Sequence, residues 1–147
     1  MRCGRRALRV VVDTNVWVSG LIVPDGRPGR VLQAVREGRL DAVASWELAD
    51  EIVDVLGRPK LARYEITQED VHAVLVLLAP LLPSVEAEVP IRDPDDAPVV
   101  HAALAARADA TVTGELDLLE DDAIRAYLAD AGVGLYSPAA LLELIGA

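Results

Sequence analysis

Val10-Val11-Val12, closed by Asp13, is the stretch that most limits how this chain can fold. Three β-branched residues in succession favour a short strand, and the absence of alternation means that both of its faces are covered. Such a strand belongs inside a parallel sheet with helices on either side. The run stops at an acid, and in open α/β sheets ligands bind in the crevice beyond the carboxyl ends of the strands. Asp13 therefore stands at the floor of that crevice. Thr14 and Asn15 follow it, one able to cap the next helix and both able to hold the carboxylate. Opening a helix is the simpler role for Asp13, and acids at the ends of other strands argue against it being the whole role.

The rest of the chain alternates in the same way. Strands are expected over residues 8–12, 41–45, 85–89, 110–113 and 132–136. Helices are expected over 15–23, 30–37, 46–56, from Thr67 to Pro83, from Pro98 onward and over 139–145. Ser45 caps the third helix, whose apolar face is Leu48, Ile52, Val53, Val55 and Leu56 at about 100° per residue. Glu51 sits at the border of that face, either leaning over a strand end or with its stem packed and its head in water. Thr67-x-x-Asp70 is a loose capping box for a helix with the stripe Val71, Val74, Leu75, Leu78 and Leu82. His72 reads as a surface residue, and His101 as packed or exposed rather than as a ligand.

Two further stretches concentrate acids. Arg92-Asp93-Pro94-Asp95-Asp96 precedes an alanine-rich helix, and Asp95 or Asp96 is the natural cap. Capping, at about 1 kcal/mol, accounts for one acid there and not for three. Thr111-Val112-Thr113-Gly114 is a strand end followed by Glu115 and Asp117. Glu120-Asp121-Asp122 reads as a solvated helix start.

Strands alternating with helices imply a three-layer α/β/α sandwich around a mostly parallel sheet, with right-handed crossovers. Parallel strands bring Asp13, Glu115 and Asp117 to one edge, with Asp96 arriving from a helix start and Glu51 from a helix border. Four carboxylates within about 5 Å repel by roughly 3 kcal/mol per pair at an effective dielectric near 20. Only a counter-ion makes that tolerable. Oxygen ligands without His or Cys favour one or two hard cations, Mg²⁺ or Mn²⁺. Ions of that kind assist hydrolysis of a phosphodiester and reverse the local potential so that a polyanion can enter.

Composition sets outer limits. The 147 residues suit one domain, with the basic residues 1–7 as a poorly ordered extension. The basic start resembles a signal peptide, but Arg9 and Asp13 break the apolar run, and no stretch is long enough to span a membrane. A single cysteine, Cys3, excludes an internal disulfide, so the cytoplasm is expected. The net charge of −10 argues against nucleic acid until its distribution is seen. Residues 1–64 hold 11 Lys/Arg against 8 Asp/Glu, whereas residues 65–147 hold 3 against 16.

Together these pieces resemble the PIN-domain family, in particular the toxin-like branch of bacterial type II toxin–antitoxin systems. The resemblance runs through Val-Val-Val-Asp13-Thr14-Asn15-Val-Trp-Val-Ser19 and Ser45-x-Glu-Leu-x-x-Glu51-Ile-x-x-Val-Leu-x-Arg58-Pro59-Lys60. Arg92-Asp93-Pro94-x-Asp96, Val-Thr113-Gly114-x-x-Asp117 and Tyr136-Ser-Pro138-Ala follow in the family's order. It implies a Mg²⁺- or Mn²⁺-dependent ribonuclease, often a homodimer, held inactive by a cognate antitoxin protein. Carried onto this chain, Asp13, Glu51, Asp96 and Asp117 form the acidic constellation. Asp13, Asp96, Asp117, Glu115 and Asp93 are the metal candidates, and Thr14, Asn15 and Thr113 orient them. Arg27, Arg30, Arg58, Lys60 and Arg63 are candidates for RNA phosphates.

One departure stands out: relatives carry Asp directly after Thr-Gly, where this chain has Glu115. A catalytically impaired binding module that works through antitoxin or subunit association is therefore the alternative. A phosphatase using an aspartyl nucleophile is disfavoured, because a second Asp would be needed where Asn15 stands.

Overall fold

A computed structural model describes residues 7–78, 80–85 and 88–147. The expected N-terminal extension therefore lies, but for Ala7, outside the described residues. Strand β1 (Leu8–Val12) is the inner strand predicted from the valine run, with Val10, Val11 and Val12 all but wholly buried. It is flanked by β2 (Leu40–Ala42) on one side and β3 (Ala110–Val112) on the other, and β4 (Gly134–Tyr136) closes the far edge. The order is β2-β1-β3-β4 and every pairing is parallel, with Val10 opposite Ala42 and Ala110, and Val112 opposite Tyr136.

Helices connect and flank these strands: α1 (Thr14–Ile22), α2 (Arg27–Arg36), α3 (Trp46–Leu56), α4 (Gln68–Leu78), α5 (Ala97–Ala106), α6 (Leu116–Leu119), α7 (Asp122–Asp130) and α8 (Pro138–Leu144). Residues Pro59–Tyr64 and Pro94–Asp96 form 3₁₀ turns. Their boundaries follow local chemistry. Pro28 lies in the first turn of α2, which starts three residues earlier than expected, and Gly38 accepts a left-handed φ of 77° just beyond its end. Ser45 and Ser137 cap α3 and α8 through their hydroxyls. The capping box of α4 is present in full: Thr67 N–H donates to Asp70, and Asp70 N–H donates to Thr67.

Three expectations need correction. Helix α4 ends at Leu78, short of Pro80, and Leu82 instead makes a parallel bridge with Ser45 that lies beyond the helix. Val85, Glu88 and Val89 belong to no strand, and residues 86–87 lie outside the described set. On α3 the buried residues are Leu48, Ala49, Ile52 and Leu56, whereas Val53 is exposed, because Ala49 rather than Val53 faces the core.

The core is one continuous apolar cluster between the sheet and its helices, in which Trp17, Leu32, Leu48, Ile52, Leu118, Ile124 and Leu141 are fully enclosed. Among the described residues no helix is long and apolar enough to cross a membrane. What matters for the site is the sheet's carboxyl edge. The ladder continues one residue past β1 and β3, since Asp13 N–H donates to Val112 O at 2.9 Å and Thr113 N–H donates to Tyr136 O at 3.0 Å. Asp13 and Thr113 thus stand side by side on neighbouring strands.

Candidate active site

Asp13 is 8% exposed and holds a dense set of hydrogen bonds. Its Oδ1 accepts from Thr14 N–H at 2.8 Å, and its Oδ2 accepts from the Thr113 hydroxyl at 2.7 Å and from Asn15 Nδ2 at 3.4 Å. Asp13 is itself the N-cap of α1, a role the sequence left open between it and Thr14. The Thr14 hydroxyl is turned elsewhere and donates to Glu51 Oε2 on α3. Asn15 spans two strands: its Nδ2 donates to Glu115 Oε1 at 3.1 Å, and its Oδ1 accepts from Gly114 N–H at 3.1 Å. Glu115 N–H closes the circuit onto Thr113 Oγ1 at 3.0 Å. The β1 and β3 strand ends are therefore fastened by one polar network in which Thr14, Asn15 and Thr113 orient the acids.

The loop before α5 works differently. Asp93, rather than Asp95 or Asp96, is the capping side chain, and its Oδ1 accepts from Asp95 N–H at 3.0 Å to start the 3₁₀ turn. Asp96 makes no capping hydrogen bond, which leaves its carboxylate at the cleft. This division of labour could not be read from spacing, because Pro94 permits a turn to begin before the helix does.

An open cleft of about 370 Å³ gathers the candidates. Asp13, Glu51, Asp93, Asp96, Glu115 and Asp117 all line it, as do Thr14, Asn15 and Asp95. Asp95 is the acid that the sequence placed only as a cap. Thr113 lies beneath, wholly buried. The acids ring this cleft and do not close into a cage: among the described residues no three metal-ligating side chains are gathered tightly enough to enclose an ion. The expected packing of four carboxylates within about 5 Å is thus relaxed, as mutual repulsion dictates.

Electrostatics link the acids all the same. Burial raises the Asp13 carboxyl above its ordinary 3.8, against the hydrogen bonds from Thr113 and Thr14, and the charges of Glu51 and Glu115 push the same way as burial. Asp96 is pushed up to about 6, first by burial and then by Asp13, Asp93, Glu115 and Asp117. Those perturbing charges come from two strand ends and the 3₁₀ turn before α5.

Of the basic candidates only Arg58 lines the cleft, resting on Asp54 at 3.1 Å in an exposed pair. Arg27 and Arg30 are exposed on α2, and Arg30 borders a separate hollow beside Leu142. Lys60 and Arg63 lie along the 3₁₀ turn after α3, with the Arg63 guanidinium 4.8 Å from the Tyr64 ring. His72 is exposed as expected, while His101 is buried beside Glu47. Asp121 is a further correction. It is 3% exposed, caps α7 and lies 3.8 Å from Arg92, so it is part of the packing rather than a solvated start.

The donor set is chemically suited to a hard divalent cation: every candidate ligand is a carboxylate oxygen, and Asp96 carries unrelieved repulsion from its neighbours. Comparison with known proteins agrees with this architecture. A family model described as "PIN domain" matches residues 9–117, from β1 to the last acid of the cleft. An uncharacterized protein of Methanocaldococcus jannaschii, MJ1680, is 30% identical over 116 residues, which cover 76% of this chain and 74% of that relative. With more than half its length matched and the acids placed at the carboxyl edge of a parallel sheet, the chain belongs to the PIN-domain family, a family of nucleases.

Proposed function

We propose that this protein is a Mg²⁺- or Mn²⁺-dependent endoribonuclease that hydrolyses RNA phosphodiester bonds. The observation that carries the reading is the gathering of Asp13, Glu51, Asp93, Asp96, Glu115 and Asp117 around one cleft, where burial first and then the charges of Asp13, Asp93, Glu115 and Asp117 push the Asp96 carboxyl up to about 6. A fold maintains such repulsion where it serves a site. Asp13 and Asp96 would hold the principal ion, with Asp117, Glu115 or Asp93 completing its shell directly or through water. A second ion, or the attacking water, would fall to Glu51. When bound, the ion supplies positive charge at the scissile phosphodiester and turns an acid-lined cleft into one that admits a polyanion.

The chain's own groups do the remaining work. Thr113, Asn15 and the Thr14 amide fix Asp13 in one orientation, so no reorganisation is needed when substrate arrives. The Thr14 hydroxyl fixes Glu51, whose carboxylate can accept the proton of water attacking phosphorus. Arg58 stands at the cleft to meet a phosphate, with Lys60 and Arg63 beyond it, while Arg27 and Arg30 would act on more distant backbone. Glu115, the departure from the family pattern, is drawn into the network by Asn15, which supports a working site over an impaired one. The motif resemblance supports a toxin role, with a homodimer in the cytoplasm restrained by an antitoxin protein.

The test is a panel of structured RNAs incubated with Mg²⁺, Mn²⁺ or chelator. Cleavage is expected with either ion and lost in chelator and in Asp13→Asn. Cleavage that persists unchanged in that variant or in chelator would refute the reading.

A further inference from the structure

Helices α3 and α5 pack against each other, and Glu51 on α3 and Asp96 at the start of α5 both line the cleft. Between them lies a polar contact outside the cleft lining. His101, on α5 five residues after Asp96, is 7% exposed, and its Nδ1 lies 3.3 Å from Oε1 of Glu47. Glu47, partly buried, stands one helical turn before Glu51 on α3. An ionised carboxylate only accepts, so this contact needs a proton on Nδ1.

Placing two such groups at a helix interface costs desolvation that an apolar pair of similar volume would avoid. What a directional contact adds is register: it fixes how α3 is rotated and slid along α5. Glu51 lies four residues from one end of the contact, and Asp96 lies five from the other. Any slip between the helices is therefore transmitted to the separation of the two acids. Ligand distances to a small divalent ion are tightly constrained, and the groups that orient ligands matter nearly as much as the ligands.

We propose that Glu47 and His101 are positioning residues, a strut between α3 and α5 that sets the spacing of Glu51 and Asp96 for a divalent ion. The proposal rests on the metal-dependent reading above. It adds two residues that never touch substrate, and it predicts that breaking their contact loosens the ion.

The experiment is calorimetric titration of Mn²⁺ into the full chain, with thermal melting of each variant as a check on folding. Glu47→Met and His101→Gln are each expected to weaken Mn²⁺ about tenfold. The double variant should be no weaker than either single one, because both remove the same contact. His101→Asn, whose amide nitrogen falls near the place of Nδ1, should keep close to wild-type affinity, although Gln is nearer to histidine in volume. Asp50→Asn, an exposed charge on the same helix, should change affinity less than twofold, which separates register from simple loss of charge. If His101→Gln does not fold, Glu47→Met and His101→Asn carry the test. Wild-type affinity in Glu47→Met, or losses that add in the double variant, would overturn the strut and leave the metal site standing. Failure of the wild-type chain to bind Mn²⁺, or binding indifferent to Asp13→Asn, would overturn the metal reading and the strut with it.

Discussion

Replacing Asp96 with Asn should make the protein more stable when no divalent ion is supplied, and the structure sets the size of the gain. The Asp96 carboxyl is pushed up to about 6 from 3.8 by burial and by four neighbouring acids. A carboxyl with a higher pKa folded than unfolded holds its proton more tightly in the folded state. Stability therefore falls as pH rises from about 4 through about 6, and the loss is complete above that window. For a wholly buried group a displacement of this size is worth about 3 kcal/mol. Asp96 is only partly buried, so solvent screening leaves about half, roughly 1.5 kcal/mol. The negative charge at the start of α5 returns about 0.5 kcal/mol through the helix dipole, and no capping hydrogen bond is lost because Asp96 makes none. The net gain for Asp96→Asn is about 1 kcal/mol, or roughly 3 °C in Tm for a chain of this size. Melting in chelator at pH 7.5 and at pH 3.5 reads it directly: the gap should be present at the first and absent at the second. Saturating Mn²⁺ at pH 7.5 should reverse the order, since at a hundredfold excess over Kd a bound ion adds about 2.7 kcal/mol to wild type. A variant less stable than wild type in chelator at pH 7.5, or a gap indifferent to pH, would refute the reasoning.

Thr113→Val keeps the shape of a fully buried side chain but removes the 2.7 Å hydrogen bond to Asp13, a charge-assisted contact worth about 1.5–3 kcal/mol. RNA cleavage at neutral pH should fall at least tenfold, and the acidic limb of its pH profile should move upward, because this bond holds down a carboxyl that burial already raises. Arg58→Ala should raise KM with little change in Tm, the Asp54 pair being exposed, and should lower the salt dependence of RNA binding by about one counterion. An unchanged salt slope would remove Arg58 from the RNA path.

The sheet was legible because its inner strands are written as short β-branched runs, and burial on both faces leaves that signature wherever it occurs. Residues 8–12 and the strand ending at Thr113 could be read directly, and with them the edge at which Asp13 and Glu115 meet. The segment from Leu78 to Val89 was not legible. Its alternation of apolar and acidic residues favours a strand, but the backbone partner of Ser45 is Leu82, chosen by how the end of α4 returns to the sheet. Patterns along one segment do not carry that information. The same holds for Asp121, whose three-acid neighbourhood suggests solvent although its side chain is enclosed as the cap of α7.

Of the acids that line the cleft, the sequence nominates all but Asp95, which it offers only as a cap, and it nominates their supporting groups only in part. Thr14, Asn15 and Thr113 lie next to the acids in sequence, so chemistry alone nominates them. Glu47 and His101 pair across 54 positions, and only the packing of α3 on α5 joins them. The distinction follows from what each group must satisfy. Asp13 is buried and needs donors from its immediate backbone and the adjoining strand, which nearest-neighbour reasoning can supply. Asp96 is partly buried, makes no capping bond and is raised first by that burial and then by the charges of Asp13, Asp93, Glu115 and Asp117. Burial of that carboxyl and the approach of Asp13, Glu115 and Asp117 exist only once the sheet edge and the helices are assembled, which is why the sequence around Asp96 names the acid but not its state.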